Sequence, residues 1–344
     1  MSHTVLYRKY RPTTLDDVIG QDHIVKVLKG ALKQGNVSHS YLFSGSRGIG
    51  KTSIARILAH EVGCSDNDIY EIDAASNNGV DDIRTLSESA RTLPFDSKYK
   101  VYILDEVHML SKAAANAFLK TLEEPPAHVI FMLATTDPEK LPETIVSRCQ
   151  VFTLKKPTDL ILKNFVLDVA KKEGFKLDTS SAELIALLGD GSFRDTHGIL
   201  EKVISFSADK KISKEEIEQV TGAPSSELVY DFLSAISEKN LEGGLKAIRK
   251  ATEQNIDMRV YLKLILYKFR TFLLIRLAPE MKKEIESDIS ENDKEFFTAL
   301  VKSKSNTLDS KTLALLLECY QTIQYAFIPE LPLELALIKI VKGE

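Results

Sequence analysis

The stretch that decides the fold is Gly45-Ser46-Arg47-Gly48-Ile49-Gly50-Lys51-Thr52. It fits the pattern G-x-x-x-x-G-K-[ST], follows the apolar run Tyr41-Leu42-Phe43, and opens a helical pattern that continues to Val62. Glycines let backbone N–H groups turn inward around phosphates, and the start of the helix adds positive potential. In such a loop Lys51 reaches the β and γ oxygens of a nucleotide, and the Thr52 hydroxyl binds Mg²⁺. We therefore predict a nucleotide site that extends to Ser53; a glycine turn with a surface lysine is the weaker alternative.

Around this loop, short β-rich runs alternate with helical patterns from about residue 40 to 155. The later runs are Ile69-Tyr70-Glu71-Ile72, Val101-Tyr102-Ile103-Leu104, Val129 to Ala134, and Gln150-Val151-Phe152. The pattern from Ser111 to Glu124 predicts a second helix, capped by Ser111 and stopped by Pro125-Pro126. This alternation is typical of βαβ units, so we expect an α/β fold with a parallel sheet.

Two carboxylates, Asp105 and Glu106, follow the apolar run that ends at Leu104. A parallel strand delivers its carboxyl end to the ligand crevice, where the glycine-rich loop also lies. Asp105 would hold Mg²⁺ through water, and Glu106 would orient or deprotonate an attacking water. An Asp-Glu pair alone is usually a solvated turn, but its place one βα unit after Lys51 favours the functional interpretation. We interpret His108 beside the pair as structural.

Beyond Pro157 the strand signal fades and helical patterns follow. Pro224-Ser225-Ser226 is interpreted as a linker before a wholly helical segment. We therefore expect three domains, a nucleotide-binding domain at 1–157, a small helical domain at 158–223 and a larger helical domain at 224–344. The polar stretch from Glu286 to Asp293 is expected to be a solvated loop.

Composition narrows the classes of function. The 45 Lys and Arg against 49 Asp and Glu give a net charge of −4, so any contact with DNA must be a local patch. Three distant cysteines, Cys64, Cys149 and Cys319, exclude a disulfide framework and a four-cysteine metal site built from this chain alone. Residues 1–4 lack signal-peptide features, and the most apolar stretch, from Tyr261 to Ala278, carries four cations. We expect a cytoplasmic protein.

Further motifs resemble the gamma/tau family of bacterial DNA polymerase III, the ATPases of the sliding-clamp loader. The matching segments are Leu6 to Pro12, Ile72 to Ser76, Leu104 to Ser111, Leu119 to Pro126, Leu133 to Pro138, and Ser147-Arg148-Cys149. The resemblance is dense over residues 4–200 and thinner afterwards, although Glu330 to Leu337 resembles the close of the family's collar domain. It implies an AAA+ module, a helical lid at 158–223 and a helical collar at 224–344.

Three residue roles follow from the resemblance. Arg148 would be an arginine finger that enters a neighbouring subunit's ATP site, although an isolated arginine is by itself usually a surface charge. Thr136 would be a polar sensor of the γ-phosphate; its alternative is a strand-terminal threonine bonded to the backbone. Arg194 would be the lid arginine that contacts the nucleotide, and the capping-box spacing of Ser192 and Asp195 favours this over a plain first-turn residue.

Two further assignments concern residues that would contact adenine and residues that would contact DNA. The residues that resemble a strap along adenine and ribose, or alternatively an arm packed on the sheet, are Tyr7, Arg8, Arg11 and Pro12. Candidates to follow duplex phosphates, each better explained singly as solvated surface, are Asn77, Asn78, Arg84 and Lys112.

The chain also departs from the family. Relatives commonly insert four zinc-binding cysteines after the first helix, but here Gly63 to Asp68 runs directly into Ile69, so we expect no zinc. The end shortly after the collar resembles the short gamma form or a truncated tau, without the tau-specific regions that bind helicase and polymerase.

The resemblance implies an ATP- and Mg²⁺-dependent motor subunit that loads the sliding clamp onto primed DNA and is not itself the polymerising subunit. Its partners would be delta, delta-prime and further gamma/tau copies in a pentamer, the clamp, and primer–template DNA. Two alternatives stay open. One is a non-hydrolysing stator resembling delta-prime, and the other is a different AAA+ DNA motor such as a branch-migration helicase.

Overall fold

The computed structural model describes residues 5–302 and 307–343; residues 1–4, used above against a signal peptide, lie outside it. The chain forms two compact units. The first comprises Met1–Val169 and Ile185–Glu201, and the second comprises Ala170–Leu184 and Lys202–Glu344.

A five-stranded parallel sheet organises the first unit. Its strands are β1 (Ser40–Ser44), β2 (Ile69–Asp73), β3 (Lys100–Asp105), β4 (Val129–Thr135) and β5 (Gln150–Thr153). They lie in the order β2-β3-β4-β1-β5. Strands β1, β3 and β4 are almost wholly buried, as expected of a parallel sheet that helices cover on both faces. The predicted α/β fold is confirmed.

Helices cover the sheet and continue beyond it. Those up to residue 206 are α1 (Leu6–Lys9), α2 (Asp22–Gln34), α3 (Lys51–Glu61), α4 (Val80–Ala90), α5 (Lys112–Glu123), α6 (Glu143–Val146), α7 (Asp159–Lys172), α8 (Thr179–Leu188) and α9 (Phe193–Phe206). Ser111 caps α5 as predicted, because its hydroxyl accepts the Ala114 N–H.

Side-chain alternation along the strands divides the core in two. Phe43 of β1 and Ile103 of β3 pack with Ile54 of α3 in one cluster. Their strand neighbours, including Leu104, pack with Phe118 of α5 in the other cluster. Because successive strand residues face opposite sides, β1 and β3 are clamped between helices and their carboxyl ends are fixed relative to α3.

The second unit is mainly helical. Its later helices are α10 (Lys214–Thr221), α11 (Ser226–Ser237), α12 (Leu241–Glu253), α13 (Met258–Leu277), α14 (Lys282–Asp288), α15 (Glu291–Lys302), α16 (Ser310–Thr322) and α17 (Leu331–Lys342). A two-stranded parallel ladder, β6 (Lys176–Leu177) with β7 (Lys211–Ile212), was not predicted. Within residues 5–302 and 307–343, no helix combines the length and apolar character that a membrane crossing requires.

The predicted solvated loop at 286–293 is wrong. Helices α14 and α15 occupy most of it, and Asp293 is buried. The Asp293 carboxylate accepts hydrogen bonds from Tyr230 Oη at 2.6 Å and from Lys268 Nζ at 2.5 Å. These partners lie on other helices, so a polar residue was drawn inward by long-range pairing. Of the expected linker, Pro224 and Ser225 lie between α10 and α11, with Ser225 as the cap of α11, whereas Ser226 belongs to the helix.

Candidate nucleotide site

The glycine-rich loop joins the carboxyl end of β1 to α3. Gly48 has φ 74° and Gly50 has φ 103°, conformations that favour glycine. At Gly48, an added Cβ would lie 2.0 Å from Ser192 Oγ, so the backbone there passes directly against the start of α9. The glycines therefore allow the loop to turn, and the start of α9 packs against it.

Lys51 and Thr52 begin α3 and face the end of β3. Lys51 is 6% exposed, and its Nζ donates to the carbonyls of Gly45 at 2.8 Å and Ser46 at 3.0 Å. Burial lowers the pKa of the Lys51 ammonium, while the nearby carboxylates of Glu106 and Asp105 raise it. Thr52 Oγ1 donates to Asp105 Oδ2 at 2.7 Å. The predicted pair of Mg²⁺-binding oxygens thus lies in direct contact.

Glu106 stands directly after β3 in a left-handed conformation, with φ 48°. Its Oε2 accepts hydrogen bonds from Thr136 N at 3.1 Å and Thr136 Oγ1 at 2.9 Å. His108 Nδ1 lies 3.4 Å from the same oxygen and 3.0 Å from Thr135 Oγ1. Thr136, directly after β4, therefore holds the carboxylate that follows β3, and its hydroxyl bonds to this carboxylate, whereas the alternative for Thr136 was a bond to the backbone.

The N-terminal segment reaches the same pocket. Tyr7, Arg11 and Pro12 line it, whereas Arg8 does not; Arg8 Nε donates to Tyr7 Oη at 3.2 Å. Arg11 Nε donates to Ser53 Oγ at 2.9 Å, which ties the segment to α3. Burial, followed by the charge of the nearby Arg56, lowers the pKa of the Arg11 guanidinium.

Arg194 lies in the first turn of α9 and lines the pocket. Its backbone N–H donates to the Gly48 carbonyl at 3.4 Å, and its guanidinium lies 6.0 Å from the centre of the Tyr7 ring. Ser192 caps this turn by accepting the Asp195 N–H at 3.2 Å. The turn therefore meets both the glycine-rich loop and the N-terminal segment.

The structure adds pocket residues that sequence reasoning missed. They are Tyr10, Asp17, Val18, Ile19, Ile54, Phe165, Phe193 and His197. Most are apolar or aromatic, so the pocket has one polar end at the glycine-rich loop and one apolar end. The spacing of Phe193 and His197 places both on one face of α9, but this spacing is common to any packed helix and does not by itself mark a pocket residue.

Arg148 is not among the residues that line this pocket. It follows α6, and its guanidinium pairs with Glu123 and donates to the Thr144 carbonyl at 2.7 Å. Its side chain is 34% exposed, so it is accessible from outside its own chain.

The candidate DNA-contacting residues lie near the ends of α4 and α5. Asn77 Nδ2 donates to the Asp73 carbonyl at 3.0 Å, and the Asn78 carbonyl accepts the Ser111 N–H. Arg84 and Lys112 are exposed, and Arg84 pairs with Asp81 on the same helix. Their contact with DNA stays a prediction.

Metal-ligating side chains are scattered over the part of the chain that the structure describes. No group of three or more His, Cys, Asp or Glu is arranged there to hold a metal ion. The oxygens of Thr52 and Asp105 suit Mg²⁺, which prefers oxygen and keeps several of its waters and the phosphates of its nucleotide as ligands.

Two family models match the chain. One, described as DNA polymerase III, delta subunit, matches residues 20–79 and 68–158. The other, described as DNA polymerase III subunits gamma and tau domain III, matches residues 212–343.

Relatives match most of the chain. The DNA polymerase III subunit tau of Bacillus subtilis is 41% identical over 307 residues, which are 83% of this chain and 54% of the relative. The subunit tau of Escherichia coli is 37% identical over 300 residues, which are 81% of this chain and 46% of the relative. The chain spans about half the length of these curated relatives.

Among solved structures, the Thermotoga maritima RuvB Holliday junction branch migration motor matches with a TM-score of 0.53 and 24% identity, over 66% of this chain and 79% of its own. Together with the parallel sheet and the glycine-rich loop between β1 and α3, this fold defines a P-loop protein of the AAA+ class. The tau relatives and the gamma and tau domain model narrow the assignment. The chain belongs to the gamma/tau family of bacterial DNA polymerase III subunits.

Proposed function

We propose that the chain is an ATP-binding and ATP-hydrolysing motor subunit of the DNA polymerase III clamp loader, which loads the sliding clamp onto primed DNA. The observation that carries the proposal is the convergence of Lys51, the Thr52–Asp105 hydrogen bond and Glu106 in one pocket. Family membership supplies the biological setting. Because the chain spans about half of its relatives, the activity and partners of the whole protein are part of the proposal.

In this proposal the loop amides of residues 45–53 and the start of α3 bind the phosphates. Lys51 exchanges its bonds to the Gly45 and Ser46 carbonyls for phosphate oxygens, which compensate its buried charge better than neutral carbonyls do. Tyr7, Arg11 and Pro12 border the nucleoside, and Arg194 contacts the phosphates from α9.

Thr52 and Asp105 would hold Mg²⁺. When bound, the ion neutralises charge on the β and γ oxygens of the nucleotide. Glu106 orients or deprotonates the attacking water, and Thr136 responds to the γ-phosphate. Since Thr136 donates twice to Glu106, a change of partner at either residue alters the other.

Arg148 is proposed to complete the pocket of a neighbouring subunit. Two observations support this: it does not line its own pocket, and a third of its side chain is exposed. Its pairing with Glu123 would have to break or rearrange at the interface. The isolated chain should therefore bind ATP but hydrolyse it slowly, because a guanidinium that stabilises the transferring phosphate is supplied in trans.

The proposed partners are delta, delta-prime and further gamma/tau copies in a pentamer, the sliding clamp and primer–template DNA. The intact set of Lys51, Thr52 and Asp105 argues against a stator that lacks productive ATP binding. The likeness to RuvB bears on the fold alone and does not favour a branch-migration helicase.

The test is ATP hydrolysis by the purified chain, alone and with its clamp, delta and delta-prime partners and primed DNA. We expect slow turnover alone and strong stimulation by clamp with primed DNA, lost in Lys51→Ala and Arg148→Ala. Arg91→Ala, which removes an exposed arginine at the end of α4, is the matched control and should keep the stimulation. ATP binding without stimulation in any combination would favour the stator, and autonomous strand separation would favour a helicase.

A further inference from the structure

His197 occupies an unusual position in the pocket. It lies one turn after Arg194 on α9, lines the pocket and is 4% exposed. Its Nε2 has no hydrogen-bond partner among the residues that the structure describes. A buried polar atom without a partner is costly, so it calls for an explanation, and a hydrogen bond to a bound ligand would supply one.

A hydrogen bond at the other ring nitrogen of His197 fixes the tautomer of the imidazole. The Phe193 carbonyl, four residues earlier on the same helix, hydrogen bonds to the ring and favours the protonated nitrogen there. Since Nε2 is the nitrogen without a partner, Nδ1 carries the proton and Nε2 is an acceptor. Burial lowers the pKa of His197 to about 4, so the ring is neutral near pH 7 and Nε2 keeps its lone pair.

Aromatic rings surround this acceptor. The Tyr10 ring stacks on the imidazole with centroids 6.2 Å apart, and Phe165 packs against it edge-on at 4.6 Å. Phe193 in turn meets Phe165 at 5.1 Å. A flat heterocycle suits this apolar end, while the phosphates of the same nucleotide would lie at Lys51.

We propose that His197 selects the base: its Nε2 accepts a hydrogen bond from the 6-amino group of adenine and disfavours guanine, whose 6-oxo group would face the same lone pair. The inference rests on the proposed binding of ATP in this pocket and assigns its specificity to one residue. Nε2 is closed to water in the structure, so the base reaches it only if a side chain packed around the imidazole moves aside.

The test is equilibrium binding of ATP, GTP and purine riboside triphosphate, which lacks the 6-amino group, to the full chain. The wild-type chain should bind ATP roughly 10-fold more tightly than purine riboside triphosphate, the order expected of one buried hydrogen bond. His197→Phe keeps a flat apolar ring without the acceptor, so it should weaken ATP binding by about the same factor and leave the analogue within about twofold. His197→Gln, whose amide oxygen can reach the Nε2 position, should restore part of the preference.

Several outcomes would overturn the assignment. Equal weakening of both nucleotides in His197→Phe would mean a packing role, and unchanged ATP preference in that variant would place the selection elsewhere. If His197→Phe does not fold, absence of any preference in the wild-type chain decides against the assignment without a variant. Failure of the wild-type chain to bind any triphosphate would instead reject the proposed function, so the two failures are distinguishable.

Discussion

At the residue scale, the charged side chains of the pocket are hydrogen-bonded to other groups of the protein. Lys51 is bonded to loop carbonyls, Thr52 to Asp105, and Glu106 to Thr136. These bonds connect β1, β3 and β4 through the residues that would contact the nucleotide. Nucleotide binding would replace some of these hydrogen bonds with bonds to phosphate. A local contact would in this way change the arrangement of the neighbouring strand ends.

The pH dependence of stability should report the buried His197. Its pKa in the folded chain is lowered from 6.5 to about 4 by burial, so between these values the unfolded chain binds more protons. Stability contributed by the neutral ring is present above about pH 6.5 and is lost as the pH falls toward 4, by up to about 3 kcal/mol.

The measurement is urea unfolding of the wild-type chain and His197→Phe at pH 7 and pH 4.5. Acidification should destabilise the wild-type chain more than the variant, because other titrating groups are common to both. Equal acid sensitivity in the two proteins would contradict a buried neutral imidazole.

Sequence reasoning found the polar end of the pocket and, at the apolar end, Tyr7 and Pro12 but not the other residues. Lys51, Thr52, Asp105 and Glu106 could be predicted because phosphate and metal chemistry restricts residue type and spacing. Apolar walls carry no such restriction, since Phe165 in α7 has the same pattern as any core residue. His197 could not be singled out because its meaning depends on Nε2 lacking a partner.

At the element scale, the approach of α9 to the glycine-rich loop depends on Gly48. Gly48→Ala would place Cβ 2.0 Å from Ser192 Oγ and 3.2 Å from Arg194 Cβ, in a backbone conformation with φ 74°. We expect ATP affinity to fall by about 10-fold or more, since a left-handed alanine alone costs about 1–2 kcal/mol. The measurement is ATP binding by calorimetry.

Gly30→Ala is the matched control. Gly30 lies inside α2, and nothing lies within 4 Å of an added Cβ. That variant should keep ATP affinity and gain roughly 0.5–1 kcal/mol of stability. Wild-type affinity in Gly48→Ala would disprove the close packing of α9 on the loop.

Asp68 stabilises the loop between α4 and β3 by hydrogen bonds. It is fully buried just before β2, and its carboxylate accepts the backbone N–H groups of Phe95, Asp96 and Ser97. These bonds lower the pKa of Asp68 to about 2, against the opposing effect of burial. The stabilisation is therefore present above about pH 3.8 and is lost as the pH falls through about 2.

Asp68→Asn replaces one accepting oxygen with a donor, which leaves a backbone N–H without a partner. We expect a loss of about 2 kcal/mol at pH 7, measured by urea unfolding. Asp66→Asn, which changes a neighbouring exposed carboxylate, should stay within about 0.5 kcal/mol of the wild-type chain. Equal stability of both variants would show that the Asp68 bonds do not fasten the loop.

The elements of the sheet were predictable, and some helices beyond it were not. Each strand is a short apolar run bounded by turn residues, so local pattern was sufficient. The prediction for residues 286–293 was wrong because the sequence around Asp293 is polar and typical of a solvated loop. The partners that bury Asp293, Lys268 and Tyr230, are far away in the sequence. The ladder of β6 and β7 was not predicted because a two-residue strand is too short to show a periodic pattern.

At the scale of the whole molecule, the two compact units serve different proposed purposes. All residues lining the nucleotide pocket belong to the first unit. The second unit exposes large apolar side chains near α17, including Tyr325 and Phe327, as expected of a surface that joins subunits. The three-domain division with boundaries at 157 and 223 stays a prediction.

The central claim is that one subunit's ATP pocket is completed by Arg148 of another. It is tested most directly by mixing Lys51→Ala and Arg148→Ala chains with the clamp, the partner subunits and primed DNA, and measuring ATP hydrolysis. Each variant alone should be nearly inactive. The mixture should recover roughly a quarter of the wild-type rate, because random neighbours then combine an intact Lys51 pocket with an intact Arg148. A mixture no faster than the separate variants, beside an active wild-type assembly, would contradict the claim.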